Sequence, residues 1–169
     1  MSTRKITLLA ILLATNVVVS FLYIPVGVNL RIYFTFLINM MVAVNYPYFI
    51  VFLYAIVEDL VSFFVYPTGP FFAGYTLTAV LSMSIYWIVL YGKKIEWKRV
   101  TVAKTLVNVF ANIFVNSLWS KILYGKGYLY YLSKSAVKNI VLIPVEVLLF
   151  LAFYHVVQPM FERYGKEKP

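Results

Sequence analysis

Cysteine is absent from this chain of 169 residues, so disulfide bonds are excluded. The chain has one histidine, His155, and without thiols this leaves too few ligands for an ordinary zinc site. Walker, nucleophile-elbow and HExxH motifs are also missing, so we expect no metal, no cofactor and no enzymatic activity. Charged residues make up only 12% of the chain, whereas about 25% is usual in a soluble domain, which argues against a soluble protein.

The chain is instead rich in apolar and aromatic residues. Hydrophobic residues make up 63% of it and aromatic residues 19%, with a mean hydropathy of +0.85. This composition predicts an all-α integral membrane protein, and the length predicts a single domain over residues 1–169. A hydrocarbon core about 30 Å thick needs an apolar run of about 20 residues. The apolar runs predict six transmembrane helices, of which the second is short, at residues 6–24, 32–44, 48–65, 71–91, 102–123 and 135–157.

Most of the net charge of +9 lies on one side of these predicted helices. Basic residues cluster at both termini and in the loop after the fourth run: Arg4, Lys5, Lys93, Lys94, Lys98, Arg99, Arg163, Lys166 and Lys168. By the positive-inside rule, this predicts a multi-pass protein of the cell membrane with both termini in the cytoplasm. The same charges suit contact with the anionic lipids of the bilayer.

Five further cations fall on the predicted outer side, where the positive-inside rule disfavours them. They are Arg31, Lys121, Lys126, Lys134 and Lys138. The guanidinium of Arg31 has the planar shape that binds a carboxylate. Lys138 either extends its amine out of the membrane or serves a function there. We expect cations on this side to face an anionic ligand.

Three asparagines, Asn108, Asn112 and Asn116, recur every fourth residue inside the fifth run. On a helix this spacing places them along one stripe. Amides in hydrocarbon either bond across helices or face a binding site. The depth of Asn112 and Asn116, with Trp119 beside them, favours a ligand, whereas Asn108 and Lys104 lie near the cytoplasmic end. We therefore predict that Asn108 packs between helices.

Acidic residues also occur inside the predicted spans. Glu58 and Asp59 are adjacent and point about 100° apart on a helix, so they do not share one proton. We expect one of them to pair with Arg31, Lys104 or Lys138. Glu146 lies in the sixth run, and its simplest interpretation is an ion pair with a cation.

The segment "YPTGPFFAGYT", residues 66–76, predicts a rigid turn because it holds two prolines and two glycines. Irregular backbone near membrane depth lines a cavity or is buried in protein. Pro70, Phe71, Phe72 and Tyr75 are therefore predicted to contact a flat polar ligand, the alternative being an aromatic belt at the interface.

Ala10 and Ala14 form a small-xxx-small pair in the first run, a spacing that lets another helix approach closely. They lie toward the cytoplasmic side, away from the predicted ligand cavity. We expect them to form a docking surface for a partner protein.

Together these features resemble the substrate-binding S components of energy-coupling factor (ECF) vitamin transporters. The segments "YPTGPFFAGYTLTAVLSMSIYW", "KTLVNVFANIFVNSLWSKILYGKGY" and "KNIVLIPVEVLL" resemble the folate-specific branch. The resemblance implies a high-affinity folate binder with an outward-facing cavity capped by loops. It also implies that Ala10 and Ala14 dock on a transmembrane T component, which works with two cytosolic ATPases.

Folate also suits the residues themselves, since its pterin matches amides and aromatic rings and its two carboxylates match Arg31, Lys121 and Lys126. The predicted ligand-binding residues are Arg31, Pro70, Phe71, Phe72, Tyr75, Asn112, Asn116, Trp119, Lys121 and Lys138. Three alternatives remain open: an S component for another vitamin or precursor, a stand-alone proton-coupled carrier using Glu58, Asp59 and Glu146, or an assembly protein without ligand. Nothing in the sequence indicates nucleic-acid binding.

Overall fold

The structure is a computed structural model that describes residues 3–27, 30–67, 71–125 and 127–165. Helices dominate it, with one short β-hairpin. In chain order the elements are α1 Thr3–Ser20, β1 Tyr23–Gly27, β2 Leu30–Tyr33, α2 Phe36–Asn45, α3 Tyr48–Val65, α4 Ala73–Leu90, α5 Trp97–Leu106, a π-helix Val107–Val115, α6 Asn116–Tyr124 and α7 Tyr128–Gly165.

Five helical stretches in the described part of the chain are long and apolar enough to cross a membrane. They are α1, α3, α4, the continuous stretch from α5 to α6, and α7. Together they support the prediction of an all-α membrane protein. The predicted second span at 32–44 is a short apolar helix, α2, whose ten residues rise only about 15 Å.

The first predicted span ends earlier than expected because the chain turns into a hairpin that sequence reasoning did not anticipate. α1 ends at Ser20 and not at residue 24. The strands pair antiparallel, with Tyr23 opposite Tyr33 and Ile24 opposite Ile32. Aromatic and β-branched residues fit this pleated surface. The predicted second span began at residue 32, which the hairpin occupies instead.

The last helices extend beyond their predicted bounds. α5 begins at Trp97, ahead of the predicted 102, and α7 covers Tyr128–Gly165 and not only 135–157. Hydropathy detects the apolar segment alone, whereas the helices continue into flanks rich in tyrosine and basic residues. The apolar part of α7 keeps an exposed face, since Val137, Val141 and Leu148 are 66–68% exposed. Such a face suits contact with lipid.

One end of the helix bundle is organised around Tyr46, between α2 and α3. Its hydroxyl donates to the carbonyl of Lys5 at 2.9 Å, and its own carbonyl accepts from Trp87 Nε1 at 3.2 Å. Its ring packs edge-on against Phe161. The start of α1 and the ends of α4 and α7 therefore meet at this end, which we call the Tyr46 end.

Aromatic contacts define the opposite end. Phe21 packs edge-on against Tyr66, with ring centroids 5.4 Å apart, and Phe72 packs against Trp119, also at 5.4 Å. The turn that leads from α1 into the hairpin, the α3–α4 connection and α6 are thereby brought together. We call this the hairpin end.

α2 lies inside the bundle and contributes much of the core. Met40, Met41, Val42 and Ala43 on successive sides of the helix are all fully buried. A helix that is hydrophobic all round is buried all round. The other helices therefore surround α2.

Candidate functional site

A cavity of about 780 Å³ opens at the hairpin end of the bundle. Its wall comes from the last turns of α3, from α4 as far as Tyr86, from Lys104 of α5, from the π-helix with α6, and from the first half of α7. Ile32 and Tyr33 of the hairpin and Phe36 and Asn39 of α2 complete it. Its volume lies within the range of about 300–1,000 Å³ that is usual for small-molecule sites.

The aromatic segment before α4 forms one side of the cavity. Phe71, Phe72 and Tyr75, all predicted ligand residues, line it. Phe72 packs against Tyr75 at 5.9 Å between ring centroids. Trp119 packs on Phe72 and donates its Nε1–H to Thr78 Oγ1 at 2.9 Å. Pro70, the remaining predicted residue of this segment, lies outside the described residues.

The predicted asparagine stripe exists, and its amides form a hydrogen-bonded ladder. Asn112 Nδ2 donates to Asn108 Oδ1 at 2.9 Å, and Asn116 Nδ2 donates to Asn112 Oδ1 at 3.5 Å. Asn112 and Asn116 line the cavity. The backbone here is not a regular α-helix, because Asn108 and Asn112 lie in the π-helix Val107–Val115 and Asn116 begins α6. Such widened turns are rare in proteins, but many of those that occur lie at functional sites.

The ladder ends on α7 at a buried ion pair. Asn108 is fully buried, and its Nδ2 donates to Glu146 Oε2 at 3.0 Å and to the carbonyl of Asn139 at 3.3 Å. Lys104 Nζ lies 3.0 Å from the same Glu146 oxygen and 4.0 Å from the ring centroid of Phe36. Two predictions are thereby confirmed: Asn108 packs between helices, and Glu146 pairs with a cation.

Of the three cations offered as partners for Glu58 or Asp59, Lys104 was the wrong choice, because it pairs with Glu146. Both acidic residues line the cavity. Glu58 Oε1 accepts from a serine hydroxyl at 3.4 Å, and Asp59 Oδ2 accepts from a threonine hydroxyl at 2.6 Å. These hydroxyls belong to Ser62, one turn further along α3, and Thr76 on α4.

Cations reach the cavity from α7 as well as from Lys104 of α5. Lys134 and Lys138 both line it, and Lys134 Nζ donates to the Tyr130 hydroxyl at 2.7 Å. Lys121 is exposed near the end of α6 and is not one of the described residues that line the cavity. The side chain of Arg31 and all of Lys126 lie outside the description.

Sequence reasoning missed three residues that shape this site. Ser135 Oγ donates to the carbonyl of Asn112 at 2.8 Å, and Asn139 Nδ2 donates to the carbonyl of Ser135 at 2.8 Å. Ser135 and Asn139 are four residues apart in an apolar run, and this is the same kind of spacing that indicated the asparagine stripe. It could have identified them in the same way. The third is Gly74, where a Cβ would collide with Phe72 and lie 2.9 Å from Trp119. Only glycine lets these rings close over the start of α4.

The predicted docking pair lies on the outside of α1. Ala10 and Ala14 are exposed. The opposite side of the helix is fixed by Asn16, whose Nδ2 donates to Asn39 Oδ1 at 2.7 Å and to the Tyr54 hydroxyl at 3.2 Å. The alanine pair therefore forms a shallow exposed strip.

Comparison with known proteins gives relatives of one kind. No protein-family model matches the chain. It is 33% identical over 154 residues to a folate transporter FolT of Leuconostoc mesenteroides subsp. mesenteroides, which covers 87% of this chain and 82% of that protein. It is 29% identical over 100 residues to a folate transporter FolT of Clostridium novyi, covering 59% and 58%.

A solved structure of FolT bound with folic acid has the same fold. Its TM-score is 0.79 at 30% sequence identity, and the match covers 88% of this chain and 90% of that one. The chain therefore belongs to the FolT family of folate transporters, the folate-specific S components of ECF transporters that its sequence resembles.

Proposed function

We propose that this protein is the high-affinity folate-binding S component of an ECF-type, ATP-driven vitamin importer. It binds folate on the outer side of the cell membrane and delivers it through a transmembrane T component and two cytosolic ATPases. The observation that carries the proposal is the cavity at the hairpin end, which combines aromatic rings, amides and cations. The FolT names of two relatives and the folic acid bound in the structural neighbour support the choice of ligand.

The cavity lining suits both halves of folate. The pterin is flat and rich in hydrogen-bonding groups, which matches the rings of Phe71, Phe72 and Tyr75 and the amides of Asn112 and Asn116. We assign the pterin to this side of the cavity. Trp119 acts by holding Phe72 in place through the ring contact between them.

The glutamate tail of folate carries two carboxylates and needs cations. Lys138 and Lys134 line the cavity and supply them from α7. We also assign Arg31 and Lys121 to the tail, and Pro70 to the capping loop, on the basis of the sequence alone. Charge-assisted hydrogen bonds of this kind are among the stronger polar contacts in proteins.

The membrane topology that we propose has six crossings, with α2 as a short second one. The Tyr46 end then faces the cytoplasm, because the basic residues of both termini and of the α4–α5 loop belong to it. The cavity accordingly opens to the outside. The exposed apolar residues of α7 face lipid.

The exposed alanine strip of α1 is the proposed docking surface for the T component. Ala10 and Ala14 leave room for a second helix, and van der Waals contact at such strips drives helix association in lipid. The strip lies on α1, away from the residues that line the cavity.

Two experiments test the proposal: a measurement of ligand binding by the purified protein and a measurement of the energy source of uptake in cells. Purified protein should bind folic acid in titration calorimetry, and any molecule that copurifies should have the absorbance spectrum and mass of a folate. Absence of binding to folic acid, dihydrofolate and formyl-folate would refute the ligand. Folate uptake that persists in cells without the ECF ATPases would refute ATP-driven delivery and favour a stand-alone carrier.

A further inference from the structure

The asparagine ladder has a direction, because the two ends of an amide differ. The amino group of asparagine only donates hydrogen bonds, and its carbonyl oxygen only accepts them. At the base of the ladder, Asn108 meets two groups that only accept, the Glu146 carboxylate and the Asn139 carbonyl. Lys104, 3.0 Å from Glu146, holds this carboxylate in place. Asn108 must therefore turn its Nδ2 toward α7 and its Oδ1 toward Asn112.

This orientation determines the other two amides. Asn108 Oδ1 requires a donor, so Asn112 presents its Nδ2, at 2.9 Å. Asn112 Oδ1 in turn accepts from Asn116 Nδ2. The remaining atom, Asn116 Oδ1, is buried and has no hydrogen-bond partner within the described residues. A buried polar atom without a partner is unfavourable, and a ligand that supplies the missing donor gains from it.

We propose that the Lys104–Glu146 ion pair is a positioning device that sets the direction of the ladder, so that Asn116 presents Oδ1 and the site selects a ligand group that donates an N–H. The inference rests on the proposed folate function. In folic acid, the pyrimidine edge of the pterin carries two such donors, the 2-amino group and N3–H, and we assign the 2-amino group to Asn116 Oδ1.

The selection can be measured with two ligands and one variant. The first ligand is folic acid, and the second is its analogue in which a methyl group replaces the 2-amino group. We expect the unmodified protein to bind the analogue about 10- to 100-fold more weakly, since Asn116 Oδ1 is left without a donor. We call the affinity for folic acid divided by the affinity for the analogue the ligand ratio. In the variant Asn116→Leu, whose side chain has no acceptor, the ligand ratio should fall to about threefold or less.

The positioning role is tested by two double variants at the same two positions. Lys104→Met with Glu146→Gln removes both charges but keeps an acceptor for Asn108, so the ladder keeps its direction and the ligand ratio is retained. Lys104→Glu with Glu146→Lys places an ammonium donor opposite Asn108, and its charge-assisted bond to Asn108 Oδ1 should outweigh the loss of the longer, 3.3 Å bond from Asn108 Nδ2 to the Asn139 carbonyl. The ladder then reverses, Asn116 presents Nδ2, and the ratio falls to about one. A purely structural ion pair would change stability in both variants without this difference in ratio.

Titration calorimetry on each purified protein, with circular dichroism to confirm folding, decides between the outcomes. Full retention of the ratio in Asn116→Leu, or its retention in a folded charge-reversed variant, would overturn the inference. Equal affinity of the unmodified protein for both ligands would also overturn it while leaving the folate proposal standing. Absence of any folic acid binding by the unmodified protein refutes the folate proposal itself. If the charge-reversed variant does not fold, the Asn116→Leu comparison still decides whether this acceptor binds the ligand.

Discussion

Removing one partner of the Lys104–Glu146 pair should strongly destabilise the protein. Both side chains are almost excluded from solvent, at 2% and 11% exposure, and their charged atoms are 3.0 Å apart. Lys104→Met would leave the largely buried Glu146 carboxylate without the cation that lies 3.0 Å from it. Loss of one member of a buried pair costs about 3–5 kcal/mol, most of it from the charge left behind. For a chain of this size, about 2–4 °C per kcal/mol converts this into a fall of roughly 6–20 °C in Tm.

The assay is thermal unfolding of purified variants in one detergent, followed by tryptophan fluorescence. The double variant Lys104→Met with Glu146→Leu removes both charges, and we expect it to recover most of the lost stability, since apolar replacement of a buried pair is often neutral. Lys98→Met is the matched control because Lys98 is exposed on the same helix, and its effect should stay within about 0.5 kcal/mol. A Tm of Lys104→Met equal to that of the control, or no recovery in the double variant, would refute the reasoning.

Three further predictions address binding and transport. Gly74→Ala should weaken folate binding about tenfold or more in calorimetry, because its Cβ collides with the rings beside it, whereas Gly127→Ala, with open space around it, should not. Lys138→Met should weaken folate binding about 10- to 100-fold, by loss of one charge-assisted hydrogen bond; pteroate, which lacks the glutamate tail, should lose little, and equal losses for both ligands would exclude a role in binding the tail. Ala10→Trp should leave folate affinity unchanged but abolish uptake by cells, whereas Ala152→Trp, exposed on α7, should leave both intact; loss of affinity in the purified Ala10→Trp protein would contradict the docking surface.

Spacing alone located the asparagine ladder, because four residues along any helix stay close together. It did not reveal the π-helix, since widening of the turn depends on contacts from elsewhere in the chain. Ser135 on α7 donates to the backbone carbonyl of Asn112 inside this segment. A bond between residues 23 positions apart in sequence leaves no local pattern to detect.

The pairing of charges shows the same limit. Sequence reasoning predicted that Glu146 pairs with a cation, and it offered Lys104 as a partner for Glu58 or Asp59. Which acid meets Lys104 depends on how α5 packs against α7, and the structure brings Glu146 there. Burial explains why a pair must form, and only tertiary packing decides its members.

The short second helix explains why a cavity exists at all. A hydrocarbon core is about 30 Å thick, whereas the ten residues of α2 rise about 15 Å. α2 is buried from Met40 to Ala43 and ends at Asn45, beside the Tyr46 end, so its missing length lies at the hairpin end. Phe36 and Asn39 at its start line the cavity, and the longer helices continue past them as its walls. The short rise of α2, about half the thickness of the hydrocarbon core, thus leaves the space that the side chains of the longer helices line.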